Sequence, residues 1–152
     1  MPASLPLSSA PRRQRLVDLP AAWLSPDLVR LAARAGVAGV FWLSARTKVE
    51  GAFTLSDSTV MLFQEEYALP LLPPLLAAWM ATVGEHLFAV MLALGLGTRL
   101  AAAGVLAMTA VIQVFVYPAA WPTHLTWAAA MLLLLREGGG RWSLDALVAG
   151  RR

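Results

Sequence analysis

Residues 100–117, LAAAGVLAMTAVIQVFVY, carry no charge at all. The stretch AAWMATVGEHLFAVMLALGLGTRL at 77–100, which meets them at Leu100, carries only Glu85, His86 and Arg99. Apolar blocks of this length, without period-2 alternation, suit helices crossing roughly 30 Å of hydrocarbon. Inside a bilayer a helix is also the form that satisfies its own backbone hydrogen bonds. Composition agrees, with 59% hydrophobic and 14% charged residues in 152, where a soluble domain has roughly half and a quarter.

The expectation is an all-α fold: a four-transmembrane-helix bundle with a short interfacial helix between helices one and two. Spans are predicted at residues 28–44, 71–96 and 100–117, and from about 123 to REGGGR at 136–141. The last is near the short limit for crossing. Ser25, Pro26 and Asp27 form a helix-start signal for the first span. Ala32, Ala35, Gly36 and Gly39 share one of its faces and predict close approach of another helix there. Segment 45–70 is too polar to span, but Val60, Phe63 and Tyr67 fall on one side at helical spacing, which predicts the interfacial helix. Residues 1–27, with five prolines, read as a flexible basic cytoplasmic tail, residues 28–147 as the membrane domain, and 148–152 as a C-terminal tail. Ser143 reads as the cap of a short terminal helix.

Charge gives orientation. With the amino terminus cytoplasmic, ten arginines lie on the inner side and only Arg46 and Lys48 on the outer, so the positive-inside rule puts both termini in the cytoplasm. The expected location is a bacterial inner (plasma) membrane, with the lipid bilayer as first partner. Basic residues flank apolar blocks and form no stripe, which argues against nucleic-acid binding. Absence of cysteine removes disulfides, iron–sulfur clusters and thiolate zinc sites.

An ionisable residue at mid-depth costs about 3 kcal/mol on insertion scales and normally faces the bundle interior. Glu85 lies about 18 Å along its helix from Pro73 at 1.5 Å per residue, close to the expected midplane. It stands in a row with Ala77, Ala81, Ala89 and Ala93, so it should point inward, and burial there should keep its proton on. Thr109 reaches the same level and Gln113 lies one turn beyond it. A ligand- or proton-handling cluster of Glu85, His86, Thr109 and Gln113 is therefore expected. Beside it stand plainer readings: a packing carboxyl for Glu85 and a satisfied structural histidine for His86. His124 is placed near the outer surface, about 15 Å from the level of His86, which argues against a bis-histidine haem or a shared metal. Arg34 is read as snorkelling to the inner surface, Lys48 as part of a solvated charged loop, and Arg99 as a cytoplasmic anchor.

The motifs FWLSARTKVEG, GEHLFAVMLALGLGTRLAA, VYPAAWPTHLTW and GGGRWSLD, in this order and spacing, resemble the DoxX family of small four-helix membrane proteins, over residues 28–147. The resemblance maps family-like polar positions onto Arg34, Lys48, Glu85 and Arg99. It also implies a redox setting, since some members are the membrane subunit of a thiosulfate:quinone oxidoreductase and others accompany superoxide or sulfur-stress enzymes. The functional expectation is a membrane subunit or accessory of a quinone-linked redox process, with no covalently bound cofactor, no metal and a quinone as ligand. A redox-enzyme partner subunit and a homo-oligomer fit this reading. Two others stay open: a non-catalytic anchor or partner for another enzyme, and a small-solute transporter. The sequence specifies no catalytic residues, so whether the chain is an enzyme stays open too.

Overall fold

The structure, a computed structural model, describes residues 24–51, 54–67 and 69–150. The tail expected at 1–27 lies outside the described residues up to position 23, as do Arg151 and Arg152.

Helix α1 spans Pro26–Thr47, opened by Ser25, whose hydroxyl accepts from the Leu28 amide at 3.1 Å, with Pro26 at the first helical position. A hairpin follows: strand β1 (Val49–Glu50) pairs antiparallel with β2 (Thr54–Leu55), Val49 opposite Leu55. The all-α expectation missed this element. Strands two residues long leave no readable alternation, and Gly51, at φ 68°, is the only local sign of the turn. Helix α2 (Asp57–Glu65) is the expected short helix, capped by Ser56. Helix α3 spans Pro74–Leu94, α4 spans Thr98–Val111, and a wider π turn extends α4 through Ile112–Val116. After a 3₁₀ turn at Pro118–Ala120 come α5 (Trp121–Glu137) and α6 (Leu144–Val148), the latter capped by Ser143 as expected.

Among the described residues, three helical segments are long and apolar enough to cross a membrane: Pro26–Thr47, Pro74–Leu94 and Thr98–Val116. Helix α5, with 17 residues, is shorter. The four long helices close a ring in which α1 packs on α3, α3 on α4, α4 on α5, and α5 back on α1. Val37, Phe41, Ala89, Leu92, Ala101, Val105, Met131 and Leu134 form the core between them. A second cluster, Phe63 with Ala77 and Ala78, holds α2 against the start of α3. The small-residue face of α1 points outward, away from the other helices of the bundle. Ala32, Ala35, Gly36 and Gly39 are exposed, and a side chain added at either glycine would meet nothing within 4 Å. The buried face of α1 is instead Arg34, Val37, Ala38, Phe41 and Ala45.

Between α3 and α4 the chain reverses over Gly95-Leu96-Gly97, with φ of 67° and 57° at the glycines. A Cβ on Gly95 would lie 2.5 Å from that of Ser143 and 2.8 Å from the Arg34 guanidinium carbon, so the turn needs glycine for space as well as for backbone. This end, with Arg30, Arg99, Arg136 and Arg141, is the basic end; the hairpin and α2 mark the other.

Candidate functional site

Helix α3 extends past the end of α1. The last turn of α1 lies level with Glu85, halfway along α3, and the hairpin and α2 cover the first half of α3 instead. This offset brings together groups that sequence placed at different depths. Lys48 continues the buried face of α1, three positions after Ala45, and is itself buried. Its ammonium donates to the Ser44 carbonyl at 3.2 Å, to Ser44 Oγ at 2.9 Å and to Glu85 Oε1 at 3.0 Å. Ser44 Oγ donates in turn to Glu85 Oε1 at 3.0 Å, and Glu85 Oε2 lies 2.9 Å from Lys48 Nζ. Glu85, 4% exposed, faces the bundle interior as expected. It does so beside the Lys48 ammonium and the Ser44 hydroxyl rather than as the lone carboxyl foreseen, and Lys48 belongs to no solvated loop. The 34, 37/38, 41, 45, 48 spacing carried the signal for Lys48, masked by the charges around it.

The expected four-residue cluster does not form. His86 Nδ1–H donates to the carbonyl of Thr82 one turn back at 2.8 Å, and its ring meets Trp42 edge-on at 5.4 Å. Thr109 donates to Val105 O of its own helix at 2.8 Å. Gln113 turns to His124 instead, Oε1 to Nδ1 at 2.7 Å. His124, placed by sequence near the outer membrane surface, is buried at 5% exposure. It lies in the first turn of α5, just after the 3₁₀ turn at Pro118–Ala120.

An apolar cavity of about 840 Å³ lies between α3, α4 and α5. Lys48, Ser44, Glu85 and His124 contribute polar surface, and Phe88, Met108 and Trp127 are among its apolar lining. Trp79, Met80, Val83 and Val111 line it and are also exposed, which puts its mouth between α3 and α4 on the apolar outer face. Gly104 lies beneath the Phe88 ring, where a Cβ would collide with it. Toward the hairpin end Tyr67 and Tyr117 close the cavity, their hydroxyls 2.9 Å apart, with the Tyr117 hydroxyl donating to Glu66 at 2.7 Å. Those hydrogen bonds, from Tyr67 first and Glu66 second, push the Tyr117 pKa up.

Arg34 is no snorkel. It is 2% exposed, and its guanidinium donates to four carbonyls: Leu92 at 2.8 Å, Ala93 at 2.9 Å, Gly139 at 2.9 Å and Trp142 at 2.8 Å. It thereby satisfies the free end of α3 and ties the loop after α5 to it. Asp145 does the same for α4, accepting from Gly97 N at 2.6 Å and Thr98 N at 2.8 Å. Arg99 is exposed and donates to Arg136 O, away from the cavity. Of the family-like positions, Lys48 and Glu85 meet at the cavity, while Arg34 and Arg99 serve the basic end.

No group of three or more His, Cys, Asp or Glu that could hold a metal ion occurs among the described residues. No curated protein and no solved structure matches the chain. The DoxX family profile matches residues 29–118, which hold Arg34, Lys48, Glu85, Arg99, Thr109 and Gln113 but not His124. That is well over half of the chain, and it adds to the apolar helices: the protein is a membrane protein that belongs to the DoxX family.

Proposed function

We propose that this protein is a four-span inner-membrane protein, both termini cytoplasmic, that binds a quinone-like apolar ligand as a membrane subunit or accessory of a redox process. One observation carries the reading: a ligand-sized apolar cavity with its mouth on the lipid-facing surface and a buried Lys48–Glu85 pair in its wall. Ligand pockets are commonly apolar volumes of roughly 300–1,000 Å³ with a few convergent polar groups. A buried ion pair is weak as a stabilising device, so its presence at a cavity wall favours a role beyond packing. The residues fit a quinone-class ring: Phe88 and Trp127 give aromatic surface, and Lys48, Glu85 and His124 border the same cavity, where its oxygens would lie. Bound there, a quinone would supply two-electron redox chemistry. The chain would hold the ring, exclude water and keep titratable groups beside its oxygens. Helix α5 completes the four spans, its ends lengthened by the Pro118–Ala120 turn and the 138–143 loop.

Organic extraction of protein purified gently into lipid nanodiscs tests this. Prenylated quinone near one per chain is expected, and a Gly104→Leu variant, which fills the cavity floor, should lose it. Quinone-free wild-type protein that co-purifies stoichiometrically with an enzyme would support the anchor reading instead. That reading has its own observation, the outward small-residue face of α1, which suits a partner helix.

A further inference from the structure

The hydrogen-bonding groups around the cavity are unevenly committed. Lys48 has three N–H groups and spends them on Ser44 O, Ser44 Oγ and Glu85 Oε1. The Ser44 hydroxyl proton goes to Glu85 Oε1. The Tyr117 proton goes to Glu66, so the Tyr67 proton goes to Tyr117. Apart from the indole N–H groups, every donor on this wall is used.

The acceptors are not. Glu85 Oε2 is buried and, though near Lys48, has no aligned hydrogen-bond donor among the described residues. His124 supplies the second acceptor, and its tautomer is fixed from outside the cavity. Gln113 Nε2 donates to Pro118 O at 2.9 Å, which sets the amide so that Oε1 faces His124 Nδ1 at 2.7 Å. Nδ1 must then carry the hydrogen, and in the neutral ring Nε2 is left as a lone pair. The ring lies against Trp127, centroids 5.3 Å apart, and borders the cavity. The carbonyl that sets this arrangement is Pro118 O, at the corner where the π turn ends.

We propose that the cavity selects the reduced, dihydroxy form of a quinone-like ligand over its oxidised, dicarbonyl form, with His124 Nε2 and Glu85 accepting its hydroxyl protons. The inference rests on the cavity being a quinone-class site and adds which redox form it holds. A quinol brings donors to the free His124 Nε2 lone pair and to a carboxylate whose Oε2, though beside the Lys48 ammonium, has no aligned donor; a quinone brings only acceptors. Sites built to pair a hydroxyl discriminate against analogues lacking it, because their own buried groups are left unpaired. His124 is the specificity-determining residue, and Gln113 is a positioning residue that acts through it.

Calorimetric titration of the whole chain in nanodiscs with a short-tailed benzoquinol, its benzoquinone and the quinol dimethyl ether tests the assignment, oxygen being excluded. The quinol should bind about tenfold more tightly than the quinone, the worth of one well-made hydrogen bond to a buried acceptor, and the dimethyl ether should show no such advantage. His124→Phe keeps an aromatic ring without the acceptor, so quinol preference should fall to within about threefold while quinone affinity holds. If His124→Phe does not assemble, Gln113→Leu, which releases the tautomer, makes the same comparison. Wild-type protein binding the quinone as tightly as the quinol, or a preference unchanged in the variants, overturns the proposal while leaving a quinone-class site in place. Binding of neither compound removes the quinone-class site and this inference together.

Discussion

Removing one partner of the Lys48–Glu85 pair should cost far more than removing both. In Lys48→Met the carboxylate keeps only the Ser44 hydroxyl, at 4% exposure and halfway along a membrane helix. Breaking a buried pair in this way costs about 3–5 kcal/mol. Glu85→Gln is milder. The ammonium retains both Ser44 acceptors, and an amide oxygen can replace Oε1, so a loss of about 1–2 kcal/mol is expected. Lys48→Met with Glu85→Leu leaves no charge to solvate and should fall within about 1–2 kcal/mol of wild type, a large non-additivity for two touching residues. Thermal unfolding in a mild detergent, followed by size-exclusion of the surviving fraction, reads all four proteins. With about 3 °C per kcal/mol for a chain of this size, Lys48→Met should melt roughly 10 °C early. Lys48→Met as stable as wild type, or a double variant as unstable as the sum of the single losses, would refute a buried, mutually dependent pair.

Arg34→Lys can satisfy at most three of the four carbonyls now held, from a point charge where a planar fork fits, and should lower stability by about 3 kcal/mol in the same melting assay. At Asp145 burial opposes the charge, yet the Thr98 and Gly97 amides and the nearby Arg34 outweigh it and hold the carboxyl below its ordinary value of 3.8. Its native pKa being depressed, its stabilisation is complete above that value and is lost as pH falls through the native one; Asp145→Asn should flatten this acid limb of a stability–pH profile. Gly104→Ala pushes a methyl group into the Phe88 ring, so melting should show a loss of about 1–3 kcal/mol and quinone recovery after extraction should drop. Because the chain has no cysteine, single thiols at Ser9, Ser58 and Ala149 report topology directly: Ser58 should label from outside intact cells, and the other two only after permeabilisation.

Helix positions were readable because hydrocarbon imposes length and composition on a span, and Ser25, Pro26 and Ser143 announce helix starts by local chemistry alone. Glu85 was legible for the same reason, since a carboxyl in the middle of an apolar helix demands an inward orientation. Its partner was not, because depth counted along separate straight helices assumes a common starting plane. Helix α3 overshoots α1, so Lys48, counted at an interface, meets a residue counted at the midplane. The same assumption made Glu85, Thr109 and Gln113 neighbours, although equal depth says nothing of which way each side chain points. Arg34 was misread because snorkelling and capping start from the same position; only the fold of residues 139–142, distant in sequence, tells them apart. The outward small face of α1 shows the limit of pattern: small residues permit close approach, but do not say whose helix approaches.

The two ends of the bundle are fastened by different kinds of bond, and that difference bears on what can move. At the basic end Arg34 and Asp145 bind backbone groups of α3, α4 and the 139–142 loop, and nothing else in the ring can replace those contacts without undoing a helix terminus. At the hairpin end the ties run from side chain to side chain: Lys48 to Glu85, Tyr67 to Tyr117 to Glu66, and Gln113 to His124. These break by rotamer change, with every helix left intact. Local opening follows the cheaper set of contacts. Rearrangement of the cavity rim is therefore expected at the hairpin end, where α2 rests on the small Phe63–Ala77–Ala78 cluster, while the basic end keeps the helices in register. On the proposed function, a backbone-tied base and a side-chain-latched rim would let an apolar ligand enter from the membrane without the bundle coming apart.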